Sequence, residues 1–293
     1  MLISVIIRTY NEEKYLSELL QSINAQKTDI CDVEIVIVDS GSTDKTLAIA
    51  KEFDCRLTHI TKEEFTFGGS LNIGCAYASG EFLVFISGHC IPVSNNWIEN
   101  IVKPLIENNV VYSYGRQIGR DTTKYSETQV FDKYFPATSA IPQEGFYCNN
   151  ANAAIRRDVW QNYLFDEELT GLEDMALAQK LVENGYKVGY VANAIVYHIH
   201  DESWPQLSHR YEREAIALQH IYPNIHINFF DFLRYVLIGL ANDYSKALHD
   251  RKFLKHFLQI LMFRVCQYWG SYKGNHITRK ISKNARERYF YPK

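Results

Sequence analysis

The stretch VEIVIVDSGSTDKT at residues 33–46 carries the clearest indication of fold in the chain. Residues 33–38 are β-branched apart from one glutamate, a pattern typical of a strand buried on both faces of a parallel sheet. Asp39 to Asp44 then supplies turn-forming and helix-capping residue types, and a helical pattern follows from about Lys45 to Phe53. The stretch therefore predicts a strand, a turn and a helix, which is the repeating unit of an α/β fold.

The same alternation of β-rich and helical patterns extends along the first 200 residues. Further strands are predicted at residues 4–7, 56–60, 82–86, 110–114, 151–155, 187–191 and 194–198. Further helices are predicted at residues 16–23, 71–78, 97–106, 127–135 and 175–183, with a loop at Gly68-Gly69. We therefore predict a Rossmann-like, mostly parallel sheet flanked by helices over residues 1–204. A helical appendage is predicted over residues 205–293, with breaks near Pro223, around 249–252 and at Gly270.

The composition excludes several classes of protein. Apolar residues at 46% and charged residues at 22% are typical of a globular chain and argue against disorder or collagen-like repeats. The six cysteines show no CxxC spacing, so we expect free thiols in a reducing compartment. The N-terminal residues lack the basic region and cleavage site of a signal peptide, and no apolar run reaches the roughly 18–20 residues of a membrane span. These features predict a cytoplasmic protein.

The charge is distributed unevenly along the chain. The 31 Lys and Arg residues and 34 Asp and Glu residues give a net charge of −3. Residues 251–293 hold eleven Lys or Arg and a single acid, Glu287, so an acidic body is followed by a basic and aromatic C-terminal region. This division indicates two surfaces with different kinds of partner.

Polar residues follow the first two predicted strands, where open α/β sheets bind ligands. Thr9, Tyr10 and Glu12 follow the first strand, and Asp39 with Ser42 follows the second. A carboxylate at such an edge can accept hydrogen bonds from a nucleobase or ribose, and backbone amides at a helix start favour an anion. Asp39 and Thr43 can equally well cap the following helix. The sequence has no GxGxxG after a strand and no P-loop motif, which disfavours dinucleotide and P-loop chemistry.

Four stretches in order resemble the motifs of family 2 glycosyltransferases with the GT-A fold. They are SVIIRTYNEE at 4–13, IVIVDSGSTDKT at 35–46, FLVFISGHCIP at 82–92 and GLEDMALAQKLVENGYKVGYV at 171–191. Residues 65–85 further resemble the bacterial rhamnosyltransferase-like branch. The resemblance covers about residues 3–200 and implies an inverting transferase that moves a sugar from a nucleotide-diphospho donor to an acceptor hydroxyl. In this branch the product is a bacterial surface polysaccharide or lipopolysaccharide such as O-antigen.

The resemblance also assigns roles to residues. The residues matched to the donor nucleotide are Thr9, Tyr10, Glu12, Asp39, Ser42 and Asn72, with Asp39 on the base. Asp174 of the Glu173-Asp174 pair matches the general base, which takes the proton from the acceptor hydroxyl as it attacks. Without the family resemblance, an alternative is that the two acids cap the start of the helix, where the helix dipole stabilises them.

The metal and diphosphate position departs from the family pattern. Ser87-Gly88-His89 occupies the place of the DxD motif, so His89 replaces the second acid, and imidazole suits Mn²⁺ or Zn²⁺ better than Mg²⁺. His198 and His200 are further ligand candidates, because alternation places both imidazoles on one face if the strand continues. A lone HxH can also be ordinary polar surface. The dependence on a divalent metal, Mn²⁺ or Mg²⁺, therefore stays open.

Other residues offer alternatives at the same site. Leu71 stands where the branch often has Arg, so one cation expected near the diphosphate is absent. Arg156-Arg157 and Arg210 are alternative cations for a metal-free site, although such residues are often solvated. Trp204 is the candidate for stacking on the acceptor sugar, with Phe146-Tyr147 nearby in sequence, and core packing is the alternative for each aromatic.

The C-terminal region has three interpretations. Apolar faces at residues 229–240 and 253–265 can pack on the body. Basic residues interleaved with aromatic residues suit an anionic membrane surface, and they also suit nucleic acid. We expect the C-terminal region to bind an anionic membrane surface and no nucleic acid. The acceptor is then a glycan or a lipid-linked acceptor at the inner face of the cytoplasmic membrane. A homodimer is left open. The alternative function is a catalytically silent nucleotide-sugar-binding scaffold, because both DxD carboxylates are missing.

Overall fold

The computed structural model describes residues 1–28 and 31–276. Its eight strands are β1 (Leu2–Thr9), β2 (Asp32–Asp39), β3 (Arg56–His59), β4 (Phe82–Ser87), β5 (Cys90–Pro92), β6 (Tyr112–Ile118), β7 (Asn152–Arg156) and β8 (Val188–His198). Its helices in the first 200 residues are α1 (Leu16–Asn24), α2 (Thr46–Ala50), α3 (Phe67–Tyr77), α4 (Trp97–Ile106), α5 (Tyr125–Tyr134), α6 (Arg157–Asn162) and α7 (Glu173–Glu183). Three long helices follow, α8 (Trp204–Ile221), α9 (Phe229–His249) and α10 (Phe253–Asn275).

The described chain divides into two compact units. The first unit comprises residues 1–118, 135–169 and 173–199. The second comprises residues 119–134, 170–172 and the described chain from His200 to His276. The sequence-based division at residue 204 stays a prediction. It differs from these units in placing α5 in the first part of the chain, whereas α5 packs with α10 in the second unit.

The first unit is built on one mixed sheet with strand order β3-β2-β1-β4-β7-β6-β8-β5. The pairs β1/β2, β1/β4, β2/β3 and β6/β8 are parallel, and only β7 and β5 run against the other six strands. Apolar side chains of β1, β2 and β4 form the core with those of α1 and α4. The predicted α/β architecture, a mostly parallel sheet with covering helices, is therefore confirmed.

Several local predictions were wrong for identifiable reasons. Gly68 and Gly69 lie in the first turn of α3 and not in a loop, because Thr66 caps the helix by accepting a hydrogen bond from the Gly69 amide at 2.8 Å. The two strands predicted at 187–191 and 194–198 form one continuous strand, β8, along β6. The short strand β5 was not predicted, since three residues carry too little pattern.

The second unit contains α5 and the three C-terminal helices. Helix α10 runs unbroken through Gly270, where it packs against α8 so closely that an added Cβ would collide with the Ser208 carbonyl oxygen. The glycine predicted to break the helix is therefore a contact point. Within residues 1–28 and 31–276, no helix combines the length and the hydropathy needed to cross a membrane.

A buried ion pair joins α9 to α10. The Arg264 guanidinium donates two hydrogen bonds to the Asp243 carboxylate, each 2.7 Å long, and a third to Gln267 Oε1 at 2.7 Å. All three side chains are buried. The pair fixes the register of the two helices, because neither charge can leave its partner without losing its compensation.

Removal of the acid should destabilise the second unit. We expect Asp243→Ala to lower the free energy of unfolding by about 3–5 kcal/mol, because the Arg264 charge is left buried and uncompensated. Chemical denaturation of the full chain measures this loss. The matched control is Asp132→Ala, which breaks a half-exposed pair with Lys246 at 3.9 Å and should cost less than about 1 kcal/mol. Equal losses in the two variants would contradict the assigned role.

Candidate active site

Asp39 organises the edge of the sheet at which β1 and β2 end. The carboxylate is completely buried and accepts hydrogen bonds from the amides of Gly41 and Ser42, both at 3.0 Å. The hydroxyls of Thr9 and Ser42 donate to its other oxygen at 3.0 and 2.5 Å. The structure therefore brings three predicted nucleotide-binding residues into one hydrogen-bonded group. Asp39 and Thr43 were the alternative caps for the following helix. Neither residue caps α2, because Asp44 accepts the hydrogen bonds from Thr46 at the start of that helix.

The loops after β1 and β2 are interlocked. Asn11 has a positive φ of 57° and accepts a hydrogen bond from the Thr43 amide at 2.8 Å. The Glu12 amide donates to Thr46 Oγ1 at 2.7 Å. Next to these contacts, the Lys62 ammonium lies 4.8 Å from the centre of the Tyr10 ring. Hydrogen bonds from backbone amides to the Asn11 and Thr46 side chains therefore hold the segment that contains Tyr10 and Glu12 beside the Asp39 loop.

Two histidines stack at the same edge. His89 follows β4, His198 ends β8, and their rings lie 5.2 Å apart at an interplanar angle of 22°. Glu12 Oε1 lies 2.9 Å from Nδ1 of His89, and Gln117 Oε1 lies 2.6 Å from Nδ1 of His198. In the neutral tautomer that carries its proton on Nδ1, each ring donates to this oxygen and Nε2 is the lone-pair nitrogen. Ser87, at the end of β4, adds a hydroxyl to this edge.

This donor set fits a divalent cation of the type that imidazole prefers. A histidine that binds a metal through one nitrogen is commonly held by a carboxylate or amide oxygen at the other, as Glu12 and Gln117 hold these two. Imidazole ligands favour Mn²⁺ or Zn²⁺ over Mg²⁺. Glu12, predicted as a nucleotide-binding residue, is thus placed where it orients His89.

Asp174 is held at this edge by the reversed strand β7. Because β7 runs antiparallel to β4, its start lies beside the carboxyl end of β4, with Asn152 opposite Ile86. The amide of Asn150, two residues before β7, donates to Asp174 Oδ2 at 2.8 Å, and the Met175 amide donates to Oδ1 at 2.8 Å. Burial, together with the neighbouring Glu173 carboxylate, raises the pKa of Asp174 to about 7.

Arg8 fixes the second acid of the pair. Its guanidinium donates to Glu173 Oε1 at 3.2 Å and to the Phe67 carbonyl oxygen, at the start of α3, at 2.8 Å. Glu173 is buried, so this contact supplies the charge that a buried carboxylate needs. Sequence reasoning missed Arg8. The available signal was a cation inside a run of buried β-branched residues, directly before the predicted edge of the sheet.

Asn72 has a structural role in the described chain. Its amide oxygen accepts from the Trp160 indole and from the Phe165 amide, both at 3.1 Å. Its amide nitrogen donates to the Phe165 carbonyl and to Glu167, both at 2.9 Å. The side chain therefore ties α3 to the segment after α6. Its contact with a nucleotide stays a prediction.

The alternative cations in the first unit lie elsewhere. Arg156 ends β7 and pairs with Phe82, the first residue of β4, so Arg156-Arg157 lies at the edge opposite the acids. Arg156 forms an ion pair with Asp158 at 2.6 Å. Arg157 donates to the Cys75 carbonyl at 3.1 Å. The interpretation of this pair as a substitute for the metal is therefore wrong, because β7 runs antiparallel.

The remaining residues that the sequence predicted to bind the acceptor, the metal or the diphosphate either pack in the first unit or belong to the second unit. Tyr147 packs with Tyr114 at a ring distance of 5.5 Å, as the core alternative predicts. In the second unit, β8 has already ended when the chain reaches His200, whose Nδ1 lies 2.7 Å from Glu127. Arg210 pairs with the same Glu127 at 2.9 Å. Trp204 begins α8 with the Lys124 ammonium 5.7 Å from its ring centre.

Comparison with known proteins identifies the family. A model of glycosyl transferase family 2 matches residues 4–164. The O-antigen chain rhamnosyltransferase RfbN of Salmonella typhimurium (strain LT2) is 26% identical over 213 residues, which cover 69% of this chain and 67% of that protein. The O-antigen chain rhamnosyltransferase WbaN of Salmonella anatum is 30% identical over 191 residues, which cover 61% of this chain and 60% of WbaN. The chain thus spans about two thirds or less of these relatives.

A solved structure supports the fold. The mannosyltransferase PcManGT from Pyrobaculum calidifontis, in complex with GDP-Man and Mn²⁺, superposes with a TM-score of 0.58 at 19% identity, covering 93% of this chain and 72% of that one. The expected GT-A fold is thereby confirmed. Because the family model spans more than half of the 293 residues, the chain belongs to glycosyl transferase family 2, in its bacterial rhamnosyltransferase-like branch.

Proposed function

We propose that the protein is an inverting glycosyltransferase that extends a bacterial surface polysaccharide, with Asp174 as the general base. The observation that carries this proposal is the buried Asp174 carboxylate, fixed by two backbone amides at the carboxyl edge of the sheet. A base for a sugar hydroxyl needs a fixed position and a pKa near the working pH. Asp174 has both, because burial and Glu173 raise its pKa to about 7.

The loops around Asp39 are proposed to bind the donor nucleotide. In this role Thr9, Ser42 and Asp39 form the wall against the base, and Tyr10 and Glu12 border the ribose and diphosphate. The hydrogen bonds within the group would hold the wall rigid before the donor arrives, which reduces the ordering cost of binding. A nucleotide-diphospho sugar is the donor class that such a pocket serves in this family.

His89 and His198 are proposed to hold a divalent cation, with Ser87 beside them. When bound, the cation would offset the negative charge that develops on the departing diphosphate. The protein's own contribution is to present two Nε2 atoms, because Glu12 and Gln117 occupy the Nδ1 side of each ring. The similar mannosyltransferase was solved with Mn²⁺, the type of ion that suits imidazole.

The acceptor is proposed to be a hydroxyl of a growing surface glycan, carried on a lipid at the inner face of the cytoplasmic membrane. The support comes from the similar proteins, which are named O-antigen chain rhamnosyltransferases. Roles for His200 and Trp204 in binding the diphosphate and the acceptor stay predictions.

Replacement of the base should abolish transfer without unfolding the protein. We expect Asp174→Asn to lower the rate of transfer by about 10²–10⁴-fold, the contribution typical of a positioned general base. The measurement is release of nucleoside diphosphate from a panel of nucleotide sugars in the presence of a lipid extract.

The matched control is Asp158→Asn, at the opposite edge of the sheet, which should retain the wild-type rate. An unchanged rate in Asp174→Asn would remove this residue as the base. If wild-type protein binds nucleotides in calorimetry but turns over no donor with Mn²⁺, Mg²⁺ or EDTA, the silent scaffold is the better description.

The pH dependence should report the state of Asp174. A base acts as the carboxylate, so the rate should fall as the pH drops below about 7, where Asp174 takes up a proton. In Glu173→Gln the like charge is gone and the Arg8 charge is no longer offset by a carboxylate, and both changes lower the pKa of Asp174. The acidic limb of the pH–rate profile should then move to lower pH. Glu183→Gln, at the exposed end of α7, should leave the profile in place.

Loss of an imidazole should weaken metal binding. We expect His89→Ala and His198→Ala each to lower the affinity for Mn²⁺ at least tenfold, measured by electron paramagnetic resonance of free Mn²⁺. His249→Ala, at the exposed end of α9, is the control and should bind Mn²⁺ as the wild type does. Wild-type affinity in both site variants would show that these histidines do not hold the cation.

A further inference from the structure

The second unit exposes a row of large apolar side chains along α10. Leu254 is 92% exposed and Leu258 is 69% exposed. Further exposed apolar residues of the row are Phe257, Met262, Val265 and Trp269. Their spacing of three to four residues places them on one side of the helix. The buried residues of α10, which include Phe263, Gln267, Gly270 and Gly274, lie on the other side.

Helix α9 carries a similar row. Phe230 is 79% exposed and Leu237 is 66% exposed, with Leu233 and Leu248 exposed on the same side. The residues of α9 that are buried lie at positions 232, 236, 239, 243 and 247 and form a separate face. Each helix therefore packs through one face and also presents an apolar row to solvent. We call these two rows together the α9–α10 apolar surface.

The two rows face the same side of the helix pair. Phe232 of α9 packs with Trp269 of α10, and Tyr244 packs with Phe257, so the helices run antiparallel. Successive residues of a helix are rotated by 100° about its axis. On each helix the apolar row is rotated by about a quarter of a turn from the side that touches the other helix. When each helix is viewed from its N-terminus to its C-terminus, this rotation has the same direction. Because the chains run in opposite directions, equal rotations bring both rows to one side. The result is a continuous apolar surface two helices wide.

The charges around this surface are mainly positive. Residues 229–275 hold seven Lys or Arg and three Asp, and α10 contains no acid. All three acids have partners within the unit, because Asp231 pairs with Arg234 at 3.2 Å, Asp243 binds Arg264, and Asp250 accepts from the Tyr125 hydroxyl at 2.9 Å. Arg234 lies in the α9 row, and Lys255 flanks the row of α10. An exposed apolar surface bordered by cations and aromatic rings matches the interface of an anionic bilayer.

We infer that the α9–α10 apolar surface docks on the headgroup region of a membrane that contains anionic phospholipid. Leu254, Leu258 and Phe230 enter the boundary between headgroups and acyl chains, and Arg234 and Lys255 meet the phosphates. The surface differs from the site proposed for sugar transfer and consists of residues of the second unit. The basic residues between 279 and 293 that were expected to bind the membrane lie outside the described residues, and the inference does not use them.

Sedimentation with vesicles tests the inference on the full chain. The vesicles contain either phosphatidylcholine alone or phosphatidylcholine with phosphatidylglycerol. We expect wild-type protein to bind the anionic vesicles at least tenfold more tightly than the neutral ones, and to be released partly by salt. The double variant Leu254→Asp with Leu258→Asp should lose at least tenfold of this binding. Both side chains are largely exposed, so circular dichroism should show an unchanged fold.

The matched control is Leu164→Asp, at an apolar residue of the first unit that is 52% exposed. It should bind the vesicles as the wild type does. Wild-type binding in the double variant would overturn the inference. A second outcome would also overturn it. In that outcome, neither protein binds vesicles, and gel filtration shows that the wild type is a dimer and the double variant is a monomer. A second copy of the chain would then cover the surface. The vesicle assay needs no sugar donor, so its failure leaves the proposed transfer reaction standing.

Discussion

Asp174 keeps its place because the Asn150 amide donates to its carboxylate, and Asn150 lies at that edge because β7 runs against β4. A parallel β7 would begin at the opposite edge of the sheet and carry Asn150 away from the ends of β1, β2 and β4. The reversal also sends Arg156 to the far edge, which leaves the imidazoles of His89 and His198 and the loop amides at the edge that carries Asp174. The chemistry proposed for the site thus depends on the direction of one strand.

Burial and charge at this edge act in opposite directions. Burial raises the pKa of Asp174, and it makes a charge on the neighbouring Glu173 carboxylate costly unless a cation compensates it. Arg8 supplies a compensating charge to Glu173, while two backbone amides donate to Asp174, whose pKa is raised. Two adjacent carboxylates therefore have different environments, one in an ion pair and one suited to proton transfer. The difference comes from β1, which places Arg8 against α7.

The second unit combines a buried ion pair with exposed apolar side chains on the same two helices. A buried Asp243–Arg264 pair holds α9 to α10, while large apolar side chains of both helices remain exposed. A helix pair stabilised only by its apolar residues would turn those residues inward. The ion pair and the close contact at Gly270 fix the inner faces instead, so the outer rows are left for a partner. This arrangement is the physical basis for inferring a membrane contact.

The sequence by itself determined the α/β class, most strands of the sheet and the edge that carries Asp39, because hydrophobic periodicity and local turn chemistry are short-range properties. The resemblance of its motifs to family 2 glycosyltransferases pointed to His89 and Asp174. It also indicated the basic, apolar character of the C-terminal helices. Only the tertiary structure decided that β7 is reversed, that Arg8 pairs with Glu173 and that Gln117 orients His198. The two side-chain contacts join residues 165 and 81 positions apart, and the reversal is a matter of strand direction, so no local pattern encodes any of them.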